Sequence, residues 1–340
     1  MFARKLHQWV TRGAAVLAIA TLSLPAQVLA QQSDFNVRFS WKLKGEYGPY
    51  YVAQDKGYYQ REGLKVRLGE GAGAQAALGA LLQGQEDAVV LPGMFAMTAI
   101  AKGMPIKLVA LYAPRASTIL LSYPDKPVRR PVDLEDKVLA TAVGEIHTEY
   151  MDAFCKINDI DCEKIRRVRV SIQARIPQLI ARQVDVAGVQ ANNDLPLVKK
   201  LNPEIDFVEM NLADFGLVLP GMAIAVSDRQ LSDPQKSNAI VRFLRATNEA
   251  VEFVRKDPEE SAASMRRLWP GAPDQDVVAD QIRATAELVP QVEGKPPGWI
   301  DENDIRDALK VLEVSGQLSR PMEPSAFYTN SQLERSVRVK

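Results

Sequence analysis

The sequence predicts an α/β fold of two similar lobes, each a sheet flanked by helices, with a ligand cleft between them. Strand-like apolar runs alternate with helical segments, and the length suffices for two domains of ~100–200 residues. A helix end, a turn, an aspartate and a buried strand follow one another at residues 81–88 and again at 179–186. Two copies of one α/β unit explain this repeat, and a chance overlap of common turn and strand residues is the alternative.

The amino terminus has the three-part layout of a secretory signal peptide over residues 1–30. Three basic residues precede an apolar run from Ala14 to Leu24, and Val28-Leu29-Ala30 supplies small residues for signal peptidase. The apolar run is too short for a bilayer, which needs about 20 residues. No cysteine stands at the cleavage point. We therefore expect an exported chain without a lipid anchor or stable membrane insertion.

Charge content gives no sign of a nucleic-acid partner. The chain has 42 Lys plus Arg and 42 Asp plus Glu residues. Three of the basic residues lie in the predicted leader, so the remaining chain has a net charge of −3. Nucleic-acid binders usually concentrate a basic excess on one face.

The residues needed for common catalytic sites are scarce. His147 is the single histidine outside the leader, so a Ser-His-Asp or Cys-His arrangement would have to include it. No Gly-x-Ser-x-Gly, His-Glu-x-x-His or phosphate-loop motif is present. The sequence therefore predicts a protein that is not an enzyme and holds no cofactor or metal.

A glycine-rich turn at Gly71–Ala76 resembles a dinucleotide-binding turn, because it follows a strand and opens the helix 75–82. That fingerprint also needs an acidic residue at the carboxyl end of the next strand. The nearest candidate, Asp87, lies at the start of that strand instead. We therefore interpret the turn as backbone amides and a helix amino terminus that face a small ligand.

The two cysteines outside the leader, Cys155 and Cys162, leave two possibilities open. An oxidising compartment permits a disulfide that would pin the end of a helix at 149–157 to the following turn. Two separate buried thiols are the alternative. A zinc site is disfavoured because no further histidines accompany the pair.

A series of short motifs resembles the periplasmic solute-binding proteins of the NitT/TauT family of ABC transporters, which bind nitrate, taurine, alkanesulfonates or thiamine pyrimidine precursors. The match begins with Tyr51-Val52-Ala53, Gly57-Tyr58-Tyr59 and Glu62–Val66. It continues at Asp133–Val138, where Asp136 replaces the family's usual glycine, and ends with Tyr328-Thr329-Asn330. Each motif is degenerate, but together they cover nearly the whole chain after the leader.

The resemblance implies a type II periplasmic binding protein that closes by hinge bending around a small molecule. It also implies a periplasmic location, and as partners an ABC permease and its ATPase. We expect a monomer. From the strand order along the chain, we expect lobe one at residues 31–117 plus 222–340 and lobe two at 118–221, with two crossings between them.

The ligand class is less closely defined. Trp41 follows the first strand at the spacing found in thiamine-pyrimidine binders, and an indole there can stack on a heteroaromatic ring. However, Lys42–Tyr47 replaces the polar residues of those binders. We favour an aromatic or heteroaromatic ligand, such as a thiamine pyrimidine precursor, over an aliphatic sulfonate, a carboxylate or nitrate. A sensor subunit and an enzyme like the pyrimidine-precursor synthases are further alternatives, although the cysteine-rich iron motif of those synthases is absent.

The candidate ligand-binding residues lie on loops that follow predicted strands. They offer aromatic surface, backbone amides at helix starts, amide side chains, and one arginine that suits a carboxylate or sulfonate. The set comprises Trp41, Tyr47, Tyr50, Gly73, Ala74, Pro92, Gly93, Met94, Arg115, Gly144, His147, Asn192 and Asn193.

Overall fold

The computed structural model describes residues 32–337, and the predicted signal peptide lies outside them. The described chain contains ten strands, which are β1 (Ser33–Phe39), β2 (Leu64–Gly69), β3 (Ala88–Pro92), β4 (Ile106–Leu111), β5 (Thr118–Ser122), β6 (Val138–Thr141), β7 (Arg166–Arg169), β8 (Val186–Gln190), β9 (Val208–Asn211) and β10 (Met222–Ser227).

The strands form two five-stranded mixed sheets with matching layouts. The orders are β2-β1-β3-β10-β4 and β7-β6-β8-β5-β9. In each sheet three parallel strands are followed by one antiparallel strand, which is β10 in the first sheet and β5 in the second. The repeated sequence pattern therefore leads into the equivalent central strands, β3 and β8. This architecture confirms the two-lobed fold predicted from the sequence.

The chain passes between the sheets twice, once between β4 and β5 and once between β9 and β10. The expected lobe boundaries, 117/118 and 221/222, coincide with the starts of β5 and β10. The backbone of the second passage pairs with the first, because Gly221 N donates to Ala113 O at 2.7 Å and Ala116 N to Leu219 O at 2.7 Å. The two lobes are thus joined by two adjacent, hydrogen-bonded segments.

Helices cover both sheets. They are α1 (Gly48–Asp55), α2 (Tyr58–Arg61), α3 (Ala74–Leu82), α4 (Gly93–Ala101), α5 (Ile146–Glu149), α6 (Met151–Ile157), α7 (Arg175–Ile180), α8 (Leu195–Leu201), α9 (Asp228–Ser232), α10 (Pro234–Lys256), α11 (Pro258–Arg267), α12 (Gln275–Glu287), α13 (Glu302–Val314) and α14 (Ser331–Ser336). Five short 3₁₀ helices occupy connecting segments. None of the helices in 32–337 is both long and apolar enough to cross a bilayer.

Local sequence explains where the carboxyl-terminal helices begin. The carboxylate of Asp257 accepts a hydrogen bond from the amide of Glu260, and Pro258 occupies the first turn of α11. Asp301 caps α13 in the same manner. Such caps satisfy amides that have no partner inside the helix. The helix expected at 149–157 is instead split into α5 and α6 at Tyr150.

The first lobe is held together by a buried aromatic cluster between its sheet and α10. Phe243 of α10 stacks on Phe35 at 4.8 Å and on Tyr59 at 5.4 Å, measured between ring centroids. Tyr50 of α1 lies 6.3 Å from the same ring and is fully buried. Such rings each bury 150–250 Å² and dominate core energetics.

Cys155 and Cys162 are joined by a disulfide in the second lobe. It links α6 to the 3₁₀ helix Cys162–Lys164, which leads into the edge strand β7. Of the two alternatives that the sequence left open, the structure therefore contains the bridge.

We predict that replacing both cysteines by alanine lowers the free energy of unfolding by about 2–3 kcal/mol, because the bridge restricts a short loop in the unfolded chain. Urea unfolding followed by circular dichroism measures the change. A reducing agent should destabilise the native protein and leave the double variant unaffected. An unchanged urea midpoint in the double variant would contradict the prediction.

Candidate functional site

A cavity of about 150 Å³ lies between the two sheets. Its first wall comes from the carboxyl ends of three parallel strands, with Trp41 after β1, Gly73 after β2 and Pro92 at the end of β3. The opposite wall comes from the segments 144–147 after β6 and 190–193 after β8. This edge is where open α/β sheets bind ligands.

The structure brings nine of the candidate residues to this cavity. They are Trp41, Tyr47, Gly73, Ala74, Pro92, Gly144, His147, Asn192 and Asn193. Tyr47 contributes only an edge, because its ring is 3% exposed and stacks on Phe39 at a centroid distance of 4.1 Å.

The other four candidate residues lie away from the cavity. Tyr50 is fully buried in the aromatic core, and Met94 is fully buried within the core beneath α4. Gly93 is the first residue of α4, where its amide donates to the carbonyl of Gly221. Arg115 is exposed on the first passage between the lobes, close enough to influence the ionisation of Asp304. The periodicity of a helix does not by itself say which face of the helix meets the cleft, which explains the positions of Tyr50 and Met94, whereas Arg115 lies on a loop.

Asp194 is the centre of a buried charge network on the second wall. Its carboxylate accepts from Lys44 Nζ at 2.8 Å and from Arg175 Nη2 at 3.0 Å. The amide of Gln190 donates to the same carboxylate at 3.0 Å. Burial by itself raises the pKa of Asp194, but the two cations and these hydrogen bonds outweigh it and lower the pKa to about 2.

Glu145 shares the guanidinium of Arg175 with Asp194 and forms an ion pair with it. Burial raises the pKa of Glu145 to about 7, and the charge of Asp194 adds to this effect while Arg175 opposes it. One guanidinium thus forms ion pairs with two carboxyl groups, and Asp194 forms a second ion pair with Lys44. Glu145 is therefore the carboxyl group of the pair that takes up a proton most readily.

His147 lies directly against the backbone of the central strand β8. A side chain at Gly188 would meet the imidazole ring at 2.3 Å, so the ring occupies space that only glycine leaves open. The Nε2 atom lies 3.3 Å from Glu145 Oε2. Burial and, to a smaller extent, the charge of Arg175 lower the pKa of His147 to about 3, so the imidazole is neutral at pH 7.

Polar contacts join the two walls across the cavity. Asn193 accepts from the amide of Glu46 at 3.2 Å, and its carbonyl accepts from Gln281 Nε2 of α12 at 2.6 Å. Asn192 Nδ2 donates to Thr285 Oγ1 of α12 at 2.9 Å. With the Lys44–Asp194 ion pair, these contacts hold the lobes against each other.

Several functional candidates at this site were missed from the sequence. They are Glu46, Glu145, Arg175, Asp194, Gln281 and Thr285. Arg175 and Asp194 lie at or just before helix starts, where polar residues usually serve as caps. Gln281 and Thr285 lie one turn apart on a helix remote in sequence from the other site residues, so nothing local marks them. Within 32–337, no group of three or more His, Cys, Asp or Glu side chains could hold a metal ion.

The sequence comparisons assign the family. A family model described as NMT1/THI5 like matches residues 44–261, which is more than half of the chain. The chain therefore belongs to the NMT1/THI5-like family, and the resemblance predicted from its motifs is confirmed. No curated protein matches the sequence.

Solved structures share the fold. The alkanesulfonate-binding protein SsuA from Xanthomonas axonopodis pv. citri, bound to MOPS, is 16% identical with a TM-score of 0.65, covering 88% of this chain and 99% of that chain. The nitrate-binding protein NrtA from Synechocystis PCC 6803 is 14% identical with a TM-score of 0.65, covering 90% and 88%. The desulfurization enzyme DszB is 11% identical with a TM-score of 0.58, covering 89% and 98%. At these identities the likeness concerns the fold alone.

We predict that Arg175→Met lowers the free energy of unfolding by about 3–5 kcal/mol, because it leaves two buried carboxylates without their shared cation. The matched control is Arg283→Met, whose half-exposed ion pairs with Glu259 and Asp280 contribute about 0–1 kcal/mol. Urea unfolding at pH 7 measures both variants. Equally small effects in the two variants would contradict the conclusion that Arg175 neutralises both buried carboxylates.

Proposed function

We propose that this protein is the periplasmic substrate-binding component of an ABC importer and captures a small aromatic or heteroaromatic molecule by hinge closure. The observation that carries the proposal is the cavity between the carboxyl edges of the two sheets, with Trp41 on one wall and the amide side chains of Asn192 and Asn193 on the other. The chain would deliver its ligand to a permease that a separate ATPase drives.

The contacts between the lobes support a closing mechanism. Four residues of the first lobe contact the short segment 192–194 of the second lobe. They are Lys44, Glu46, Gln281 and Thr285. All four contacts are polar and lie beside the cavity. Polar contacts of this kind exchange readily with water when two lobes separate, so they suit an interface that opens and closes.

The volume of the cavity supports a ligand with a single ring. An apolar cavity of about 150 Å³ in another protein holds benzene, and the cavity here has the same volume. A flavin would be too large without further opening. Micromolar binding requires about 8 kcal/mol, which one stacked ring with satisfied hydrogen bonds can supply after the costs of closure.

The distribution of charge favours this ligand class over an anion. The two cations near the cavity, Lys44 and Arg175, are both paired with Asp194. An anionic ligand would have to displace these pairs or remain without a buried counter-charge, which is costly. SsuA and NrtA are named for alkanesulfonate and nitrate, so a binder of sulfonate, carboxylate or nitrate is the second candidate.

Two further roles have less support. One is an enzyme, because the fold neighbour DszB is an enzyme. A sensor subunit that presents the same ligand to a receptor would use the same cleft. Binding measurements alone do not separate a sensor from a transport component, whereas uptake by a deletion strain does.

We predict that single-ring aromatic compounds raise the melting temperature, whereas taurine, nitrate and flavins do not. A ligand at 100 times its dissociation constant adds about 2.7 kcal/mol to the free energy of unfolding. A thermal-shift screen of the protein without its predicted leader makes this measurement. A shift with nitrate or taurine alone would favour the second candidate.

We further predict that Trp41→Ala weakens binding of the aromatic hit at least ~fivefold, because the stacked ring contributes about 0.5–1.5 kcal/mol beyond its area. Trp299→Ala is the control, since that indole lies outside the cavity and contacts Lys295. Titration calorimetry compares the variants. Full affinity in Trp41→Ala would refute stacking at this position.

A further inference from the structure

The groups around the cavity have an unequal number of positive and negative charges. Glu46 and Glu145 each lie within electrostatic range of the carboxylate of Asp194, which makes three carboxyl groups beside the cavity. Among residues 32–337, the cations that face them are Lys44 and Arg175. If all five groups ionise, the buried cluster carries one net negative charge.

His147 does not supply the missing positive charge. Its ring is 2% exposed, it lies against Gly188, and burial together with Arg175 keeps it neutral. Glu145 Oε2 and His147 Nε2 face each other at 3.3 Å, and neither atom has a well-formed hydrogen bond among the described residues. An uncompensated charge in such a position is expensive.

We propose that the cleft is built for a ligand that carries one positive charge on a single aromatic ring, and that this cation replaces a proton held by Glu145. The inference rests on the proposed function and adds the charge of the ligand to it. When the cation enters, Glu145 releases its proton to solvent, and the cluster stays neutral with the ligand in place of the proton. An amidine or a ring nitrogen that binds a proton has the required chemistry.

The two lobes would divide the recognition of this cation. Glu46 lines the cavity from the first lobe, and burial raises the pKa of its carboxyl group. Glu145 lines it from the second lobe and is held by Arg175. A cation between them interacts favourably with one carboxylate from each side, so its charge would favour the closed arrangement. Trp41 on the same wall as Glu46 adds a ring face, which attracts cations.

Titration calorimetry with three compounds of one shape tests the inference. Benzamidine is a cation, benzamide is its neutral counterpart, and benzoate is the anion. We expect benzamidine to bind about tenfold or more tighter than benzamide, because a buried carboxylate attracts a cation more strongly than water-exposed groups do. Benzoate should bind weakest. Equal affinities for benzamidine and benzamide, or a preference for benzoate, would overturn the inference.

Proton release gives a second readout. Burial raises the pKa of Glu145 to about 7, so the empty protein holds this proton at pH 6 and has largely lost it at pH 8. Benzamidine binding should therefore strengthen about tenfold between pH 6 and pH 8. At pH 6 the binding heat should vary with the ionisation heat of the buffer. The pKa of Asp194 is lowered to about 2 and that of His147 to about 3, so both groups keep their ionisation states over this range.

Single substitutions distinguish the contribution of Glu145 from that of neighbouring carboxyl groups. Glu145→Gln keeps the shape of the side chain, and we expect it to abolish both the pH dependence and the proton release. Glu149→Gln is the control, because Glu149 is exposed at the end of α5, the short helix that begins directly after Glu145, and does not line the cavity. Glu46→Gln should weaken benzamidine more than benzamide. An unchanged pH dependence in Glu145→Gln would refute the role of this residue.

The outcomes distinguish the inference from the proposed function. If benzamide and benzamidine bind with equal affinity, the proposed function as a receptor for single-ring molecules is supported and the preference for a cation is refuted. If none of the three compounds binds to folded protein while taurine or nitrate does, the proposed aromatic ligand class and the preference for a cation are both refuted. A preference for benzamidine that follows the pH dependence of Glu145 supports both.

Discussion

The arrangement of the cleft depends on the buried carboxylate of Asp194. Lys44 reaches it from the first lobe, whereas Arg175 and the amide of Gln190 reach it from the second. Because the two cations outweigh the cost of burial, this carboxyl group remains ionised. It therefore attracts Lys44 across the gap and fixes the guanidinium of Arg175. Both the contact between the lobes at this point and the balance of charge in the cavity depend on this one group.

The structural consequences extend to both walls. Arg175 also contacts Glu145 and the carbonyl of Gly188, so one side chain links the loop after β6 to the middle of β8. The absence of a side chain at Gly188 admits the ring of His147. The second wall of the cavity is therefore well packed but polar. The apolar surface of the cavity comes chiefly from the loops around Trp41 and Pro92 on the first wall. The first lobe thus supplies the exposed ring of Trp41, whereas charged groups come from both lobes.

Sequence reasoning located positions at the cavity where local sequence and strand topology suffice, and the ligand-binding role of these residues stays a prediction. Residues at the carboxyl ends of parallel strands, such as Trp41, Gly73 and Asn192, line the cavity because a parallel sheet brings these ends to one edge. It failed for Tyr50 and Met94, which belong to helices one or two residues inside their starts. There, the packing of the helix against its sheet turns the side chain toward the core. A tyrosine or a methionine suits a protein core and a ligand cavity equally well, so the residue type does not tell the two apart.

By itself the sequence determined the alternation of strands and helices, the repeated α/β unit, the helix caps and the family, since all of these depend on residues close together along the chain. Only the tertiary structure decided how charge is balanced in the cleft. Lys44, Glu145, Arg175 and Asp194 are separated by up to 150 positions, and their ionisation depends on burial and on one another. Long-range electrostatics of this kind leaves no local pattern, because any surface helix may carry the same residues exposed to water.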